Sequence, residues 1–210
     1  MVIKESLVIG QNYDIGNYVS LGEEPASLDA SLIIGENAKI RSHSVIYRGS
    51  KIGNNFQTGH GVLIREGNAI GDNVSIGSHS VVERENIIGN NVRIHSNCFI
   101  PEYVLIEDDV WIGPGVTILN TLHPPCPKFK ECAKGVIIKR GAKIGGNVTL
   151  GPKVKVGEGV LIGFGSVVIS DIPDKTVAVG NPAKVIKNKS ELRCRMNYFE
   201  RPYIWEENYE

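Results

Sequence analysis

The sequence predicts an all-β fold in which short parallel strands stack into about eight triangular coils, with one protruding loop and a short C-terminal tail. Three observations predict this fold. An aliphatic residue recurs at every sixth position over most of the 210 residues. The residue four positions later is usually small or apolar. Glycine is frequent, with 24 residues, whereas aromatic residues make up only 7% of the chain, which favours many tight turns over one large aromatic core.

The six-residue repeat forms three runs. The central run has Ile or Val at fourteen of its fifteen positions: Ile34, Ile40, Ile46, Ile52, Thr58, Ile64, Ile70, Ile76, Val82, Ile88, Ile94, Ile100, Ile106, Ile112 and Ile118. The flanking runs are Ile9, Ile15 and Leu21 before it and Ile138, Ile144, Leu150, Val156, Ile162 and Val168 after it. Seven extra residues follow Leu21 and fourteen follow Ile118, so the chain leaves the repeat at both places.

A period of six fits neither an amphipathic helix nor a long alternating strand. It fits a short strand followed by a turn, in which the aliphatic residue points inward and Gly, Asn or Asp takes a positive φ. Three such units close one triangular coil, and each coil buries its aliphatic face only against its neighbours. We expect one repeat domain over residues 1–186, with a loop at 119–137 and a tail at 187–210.

The composition and the terminal segments argue against several classes of protein. The 23 basic and 23 acidic side chains balance, so neither nucleic acid nor an anionic membrane surface is an expected partner. Neither a signal peptide nor a membrane-spanning segment is evident. The four cysteines, Cys98, Cys126, Cys132 and Cys194, do not form a disulfide framework. We expect a cytoplasmic protein with reduced thiols.

The loop at 119–137 holds the first candidate for chemistry, because a regular prism has no deep pocket of its own. It carries Asn120 and His123 and is stiffened by Pro124, Pro125 and Pro127. A histidine titrates near neutral pH and suits a general base. The alternative is that His123 only caps the loop. Zinc binding by His123 with Cys126 and Cys132 lacks a fourth ligand and a common spacing, so we expect no metal.

The closing segment, Val179-Gly-Asn-Pro-Ala-Lys-Val-Ile186, together with the repeat, resembles the hexapeptide-repeat acyltransferases over about residues 7–186. The resemblance implies left-handed coils, a homotrimer and acetyl-CoA as the acyl donor. It implies that Gly146 and Gly165 contact the pantetheine arm and that Lys184 meets the phosphates. Phe164 departs from the alanine common in the family, and it would crowd the arm or stack near the adenine. An ATP-binding P-loop motif is absent.

The resemblance also indicates acceptor-side residues. In the galactoside and xenobiotic acetyltransferases, a histidine ahead of such a loop is the base, which implies His123, with Asn120 orienting the acceptor. The UDP-N-acetylglucosamine acyltransferases place their base where His60 stands, so His60 with Glu66 is an alternative. The segment 94–103 is similar to the acceptor site of sugar-nucleotide N-acetyltransferases, which implies Asn97, Glu102 and Tyr103. The alternative for Asn97 is a plain turn residue.

These observations favour an acyltransferase that acts on a sugar or amino sugar nucleotide in surface polysaccharide precursor synthesis, with an amide or an ester product. One alternative is a non-catalytic scaffold. Another is a metal-dependent hydratase of the same fold, which needs three histidines, two of them close in sequence. No two of the histidines in this chain are close in sequence, which argues against it.

In the tail, Ser190 is expected to cap a short helix, and the aromatic residues from Tyr198 to Tyr209 are expected to cover a coil end or a neighbouring subunit.

Overall fold

The computed structural model describes residues 2–3, 7–25 and 30–204, and it confirms the all-β fold of stacked parallel coils. The coils are left-handed. Each coil passes through three sheets in the order A, B, C. Strands in neighbouring coils pair in parallel, and within the regular part of the stack each residue faces its equivalent three hexads later, as for Ile64 with Val82 and Ile88 with Ile106.

The strands are short because each hexad allots only two residues to a sheet and four to a corner. Sheet A contains β1 (Val2–Ile3), β4 (Ser20–Glu23), β7 (Val45–Tyr47), β10 (Leu63–Ile64), β13 (Val81–Val82), β16 (Phe99–Ile100), β19 (Thr117–Ile118), β22 (Thr149–Leu150) and β25 (Val167–Val168). Sheet B contains β2 (Leu7–Ile9), β5 (Leu32–Ile34), β8 (Lys51–Ile52), β11 (Ala69–Ile70), β14 (Ile87–Ile88), β17 (Leu105–Ile106), β20 (Ile137–Ile138) and β23 (Lys155–Val156).

Sheet C ends in the one antiparallel pair of the described chain. It contains β3 (Asp14–Ile15), β6 (Lys39–Ile40), β9 (Gln57–Thr58), β12 (Ser75–Ile76), β15 (Arg93–Ile94), β18 (Trp111–Ile112), β21 (Lys143–Ile144), β24 (Leu161–Ile162), β26 (Thr176–Gly180) and β27 (Ala183–Asn188). The last two form a hairpin that closes this end of the sheet.

The repeat positions fill the core as predicted. From Leu21 to Val168, the positions of the three runs are buried, including Thr58. The residues four positions later, such as Val62 and Val110, are buried as well. In the first coils, Ile9 and Ile15 are half-buried. Because each side chain stacks on its equivalent one coil away, the core is one continuous column.

The corners supply the turns. We number the four residues between strands as corner positions one to four. The third has a positive φ in coil after coil, at Asn37, Asn55, Asn73 and Asn91 and also at His79. A left-handed turn is needed there, and asparagine adopts it at low cost.

The helical elements are few. Helix α1 (Phe129–Cys132) lies in the loop, which returns to the coils at Val136 because Ile137 already belongs to β20. Within the described ranges, no helix has the length and apolar character that crossing a bilayer requires.

The tail differs from the prediction in three ways. Strand β27 runs to Asn188, beyond the predicted boundary at 186. A single 3₁₀ turn (Lys189–Glu191) follows, and Asn188 caps it instead of Ser190, because the Asn188 carboxamide accepts from the Ser190 amide. Tyr198 and Phe199 are exposed in the single chain, so packing on a neighbouring subunit stays a prediction for them. Trp205 and Tyr209 lie outside the described residues.

Candidate functional site

The corners place the candidate residues on two edges of sheet A. The AB corner, where the chain passes from sheet A to sheet B, comprises 47–50, 65–68, 83–86, 101–104, the loop 119–136 and 151–154. The CA corner, which leads from sheet C to sheet A, comprises 41–44, 59–62, 77–80, 95–98, 113–116, 145–148 and 163–166.

The candidate acceptor and base residues are therefore split between the two edges. Asn120, His123, Glu102 and Tyr103 lie on the AB corner. His60, Asn97, Gly146, Phe164 and Gly165 lie on the CA corner, and Lys184 lies in the terminal hairpin. In a single chain, the two groups of candidate residues therefore lie at opposite edges of sheet A.

The structure does not bring the side chains of His60 and Glu66 together. The two residues stand one hexad apart, so strand β10 separates their corners. The Glu66 carboxylate instead accepts two hydrogen bonds from the Arg65 guanidinium, at 2.9 and 3.2 Å. His60 Nδ1 lies 2.8 Å from Ser42 Oγ in the preceding coil, and the His60 amide donates to Ser78 Oγ. These contacts describe a histidine held by corner serines.

The histidines are widely spaced in the sequence, yet the fold brings four of them to one corner. His43, His60, His79 and His95 follow one another at intervals close to one coil, so the fold brings all four to the CA corner. Their corner positions differ, and no group of three metal-ligating side chains forms among the residues described here. Burial, and then Arg93, lower the pKa of His95, whose ring packs 4.7 Å from Trp111.

A column of alternating charge runs along the AB corner. The second corner position holds Arg48, Glu66, Arg84, Glu102 and Asn120, each one coil after the last. Arg48 pairs with Glu24 at 3.9 Å, and Arg84 Nε lies 3.7 Å from Glu102 Oε1. Sequence reasoning missed Arg84 and this column, although reading the chain in steps of three hexads would have revealed both.

Two carboxylates, the buried Glu66 of the column and the half-buried Glu83 beside it, have shifted pKa values. Burial raises the pKa of Glu66, but hydrogen bonds from its own backbone amide and from Arg65 outweigh that effect and lower it overall. Burial also raises the pKa of Glu83, and Glu102 and Glu66 add to the increase against the opposing charge of Arg65. Arg65 lies 3.6 Å from Glu83 and 5.0 Å from the ring centre of Tyr47.

The column ends at the neck of the loop. The buried Asn120 donates from Nδ2 to Glu102 Oε2 at 2.8 Å and accepts at Oδ1 from Thr121 Oγ1 at 3.1 Å. Its backbone oxygen accepts from the Lys134 amide at 3.0 Å, which closes the neck. Beyond this neck, His123 is exposed.

The loop cysteines lie close to each other. A hydrogen bond with Cys126, followed by burial, raises the pKa of the Cys132 thiol. Both thiols are free. They do not join His123 in a group that could hold a metal ion, within the described part of the chain.

The candidate donor side is lined by small residues. Gly113, Gly145 and Gly163 stack at the first position of the CA corner. An added Cβ would meet the neighbouring backbone at Gly113 and Gly145 and the Val179 side chain at Gly163. Gly165 has a φ of 68° and no atom within 4 Å of an added Cβ, so space lies beside it. The Phe164 side chain is 87% exposed and points away from the core. Asn97, at φ 60°, occupies the left-handed turn position, as its plain turn alternative requires.

Two family models match the chain. The model of the GMPPB C-terminal domain matches residues 28–132, and the model of the bacterial transferase hexapeptide (six repeats) matches residues 135–170. The two models account for the coils on both sides of the loop neck.

Relatives and a solved structure add to this similarity. Over 92 residues the chain is 41% identical to the Saccharomyces cerevisiae protein YJL218W, provisionally named an acetyltransferase, covering 42% of this chain and 47% of that protein. Over 85 residues it is 36% identical to a Staphylococcus aureus 2,3,4,5-tetrahydropyridine-2,6-dicarboxylate N-acetyltransferase, covering 40% and 33%. The chain thus spans between a third and a half of these relatives. The UDP-N-acetylglucosamine acyltransferase from Campylobacter jejuni superposes with a TM-score of 0.52 at 25% identity, covering 88% of this chain and 74% of that chain.

Proposed function

The chain belongs to the hexapeptide-repeat transferase family, and from this premise we propose that it transfers an acetyl group from acetyl-CoA to a sugar or amino sugar nucleotide. The observation that carries the proposal is the loop on the AB corner, which holds an exposed histidine beside the last coils. The names of the relatives support acetyl transfer, and the name of the Campylobacter jejuni structure supports a sugar nucleotide as acceptor.

The complete site, in this proposal, forms between copies in a homotrimer. The AB corner of one copy, with His123, would face the CA corner of the next, with Gly146, Phe164 and Gly165. Two faces of the prism support such packing, because outward apolar side chains are exposed on them: Val8, Ile33, Ile87 and Ile137 on sheet B and Phe99 on sheet A. Light scattering after gel filtration tests the trimer.

The chemistry follows from the groups present. The acceptor oxygen or nitrogen attacks the thioester carbonyl and loses its proton to His123, after which the C–S bond breaks and the CoA sulfur takes up a proton. The Asn120 Oδ1 has a second lone pair with which to orient the acceptor. Backbone N–H groups of the last coils would stabilise the oxyanion, while Lys184 would meet the CoA phosphates. Asn97 and Tyr103 are proposed to line the acceptor side. The free thiols fit a reducing compartment such as the cytoplasm.

The test combines calorimetric titration of acetyl-CoA with an assay of acetyl transfer to amino sugar nucleotides and to plain sugars. His123→Ala should bind acetyl-CoA as wild type does, because His123 acts on the acceptor. Its kcat should fall by about 10²- to 10⁴-fold, the usual contribution of a general base. The fall in kcat should be larger with a hydroxyl acceptor than with an amine acceptor, because an amine can release its proton after attack.

His60→Ala is the matched control, since His60 is exposed at a turn three coils before the loop. It should leave kcat unchanged. Loss of activity in His60→Ala but not in His123→Ala would assign the base to His60 instead. A wild type that does not bind acetyl-CoA would refute acyl transfer from CoA and favour a non-catalytic scaffold.

A further inference from the structure

The coil directly before the loop holds both sides of the loop neck. Glu102 accepts a hydrogen bond from Asn120, where the chain leaves the coils. The next residue, Tyr103, places its carbonyl against Gly135, where the chain returns. A Cβ on Gly135 would overlap that carbonyl and lie 2.6 Å from the amide nitrogen of Val104. Two consecutive corner residues thus fix the entry and the exit of the loop.

Glu102 is itself oriented from the coil before it. Arg84 stands one coil away in the charge column and lies 3.7 Å from Glu102 Oε1, which leaves Oε2 for Asn120. The Glu102 side chain is 17% exposed and that of Arg84 is 36% exposed. Ion pairs at this exposure contribute little to stability, so an ordered pair at the loop neck suggests a role in orientation.

We infer that Arg84 and Glu102 are positioning residues for the reaction, which hold Asn120 and through it the loop that carries His123. The expected effect on kcat rests on the proposed function, whereas the expected effect on the order of the loop does not. Glu102 then acts through Asn120 instead of binding the acceptor, because the Glu102 oxygens are taken by Asn120 and Arg84.

The test measures loop order and kinetics in the same variants. Glu102→Ala should accelerate amide hydrogen exchange in the segment 121–134, because the neck loses its acceptor. Its kcat should fall about a hundredfold, as expected when a reacting group is displaced by about 1 Å. KM for acetyl-CoA should stay within about twofold, because the proposed donor residues on the CA corner are unaffected.

Two further variants separate orientation from charge. Glu102→Gln keeps an oxygen for the Asn120 carboxamide and should restore most of the activity and loop protection. Arg84→Met should lie between wild type and Glu102→Ala, because it removes only the group that steers the carboxylate.

Asp108→Ala is the matched control. Asp108 occupies the second position of the next corner in the same coil and pairs with Arg140 of the following coil at 3.4 Å. It lies between sheets B and C, on a different corner from the loop neck. It should leave both loop exchange and kcat unchanged.

The outcomes are distinguishable. Unchanged loop exchange and kcat in Glu102→Ala, or equal changes in Asp108→Ala, would overturn the positioning role. If wild type acetylates none of the acceptors while Glu102→Ala still loosens the loop and Asp108→Ala does not, the positioning role stands and the proposed function fails.

Discussion

Replacing Gly135 by alanine should move the loop while leaving the coils in place. Ordinary van der Waals contact begins at 3.4 Å, whereas the new methyl group would lie 2.6 Å from Val104 N and overlap the Tyr103 carbonyl. To reach ordinary contact with Val104 N alone, the methyl group and this nitrogen must move apart by about 0.8 Å. The backbone of the coil is closely packed and has little room to move. The loop must therefore shift outward at its return point.

The expected cost follows from this displacement. Overpacking of this kind costs about 1–3 kcal/mol. In a chain of this size, each kcal/mol lowers the melting temperature by about 2–4 °C. A shift of about 1 Å at the loop should lower kcat by about a hundredfold. Thermal unfolding followed by circular dichroism and an acetyl transfer assay measure the two effects.

Gly151→Ala is the control for Gly135→Ala. Gly151 lies on the AB corner in the next coil, and the nearest atom to an added Cβ is the Val168 oxygen at 3.1 Å, which requires a retreat of only a few tenths of an ångström. This variant should retain its activity. A Gly135→Ala protein with wild-type melting temperature, kcat and loop exchange would refute the reasoning that Tyr103 and Gly135 fix the loop neck.

Two other substitutions test the surface beside the site. Glu83→Gln should stabilise the protein at pH 7, because burial raises the pKa of Glu83 and ionising it therefore costs stability as pH rises through the folded-state value. The gain should vanish below about pH 4, where Glu83 holds its proton in both the folded and the unfolded chain. A difference in melting temperature between the variant and wild type that stays constant from pH 4 to 8 would show that this is wrong. Phe164→Ala should keep its melting temperature, since the ring is 87% exposed, but should weaken acetyl-CoA binding about three- to tenfold if the ring stacks on the donor. Tighter binding would instead show that the ring crowds the pantetheine arm.

The interior of the coils could be predicted from the sequence because it follows from one period. An aliphatic residue at every sixth position can be buried continuously only by a chain that turns at the same interval, and Ile106 and Val156 are buried for that reason. The hand of the coil does not follow from the period, because the same inward pattern satisfies either hand. It came from the family resemblance.

The period of six alone does not give the arrangement of the corners, which emerges only when the chain is read in steps of three hexads. His60 and Glu66 occupy equivalent places in successive hexads, yet they lie on different corners because a third of a turn separates them. Glu66, Arg84 and Glu102 are distant in sequence, yet they stack because the spacing is one whole coil. Both excursions leave from sheet A and return to sheet B, so equivalent strands keep pairing on either side of them.

Two ladders of stacked side chains show where such a scaffold can place chemistry. On the corner between sheets B and C, the carboxamides of Asn37, Asn55, Asn73 and Asn91 donate one to the next at 2.8–3.0 Å and end on Asp109. From Asn55 to Asn91 each amide both donates and accepts, so this ladder is satisfied within itself and extends with the coils. The AB corner alternates Arg with Glu instead and stops at Asn120, because the next coil has Pro152 at this position, which has no polar side-chain atom. A ladder that ends leaves polar groups to be satisfied by something outside the repeat, and here that is the loop neck that carries His123.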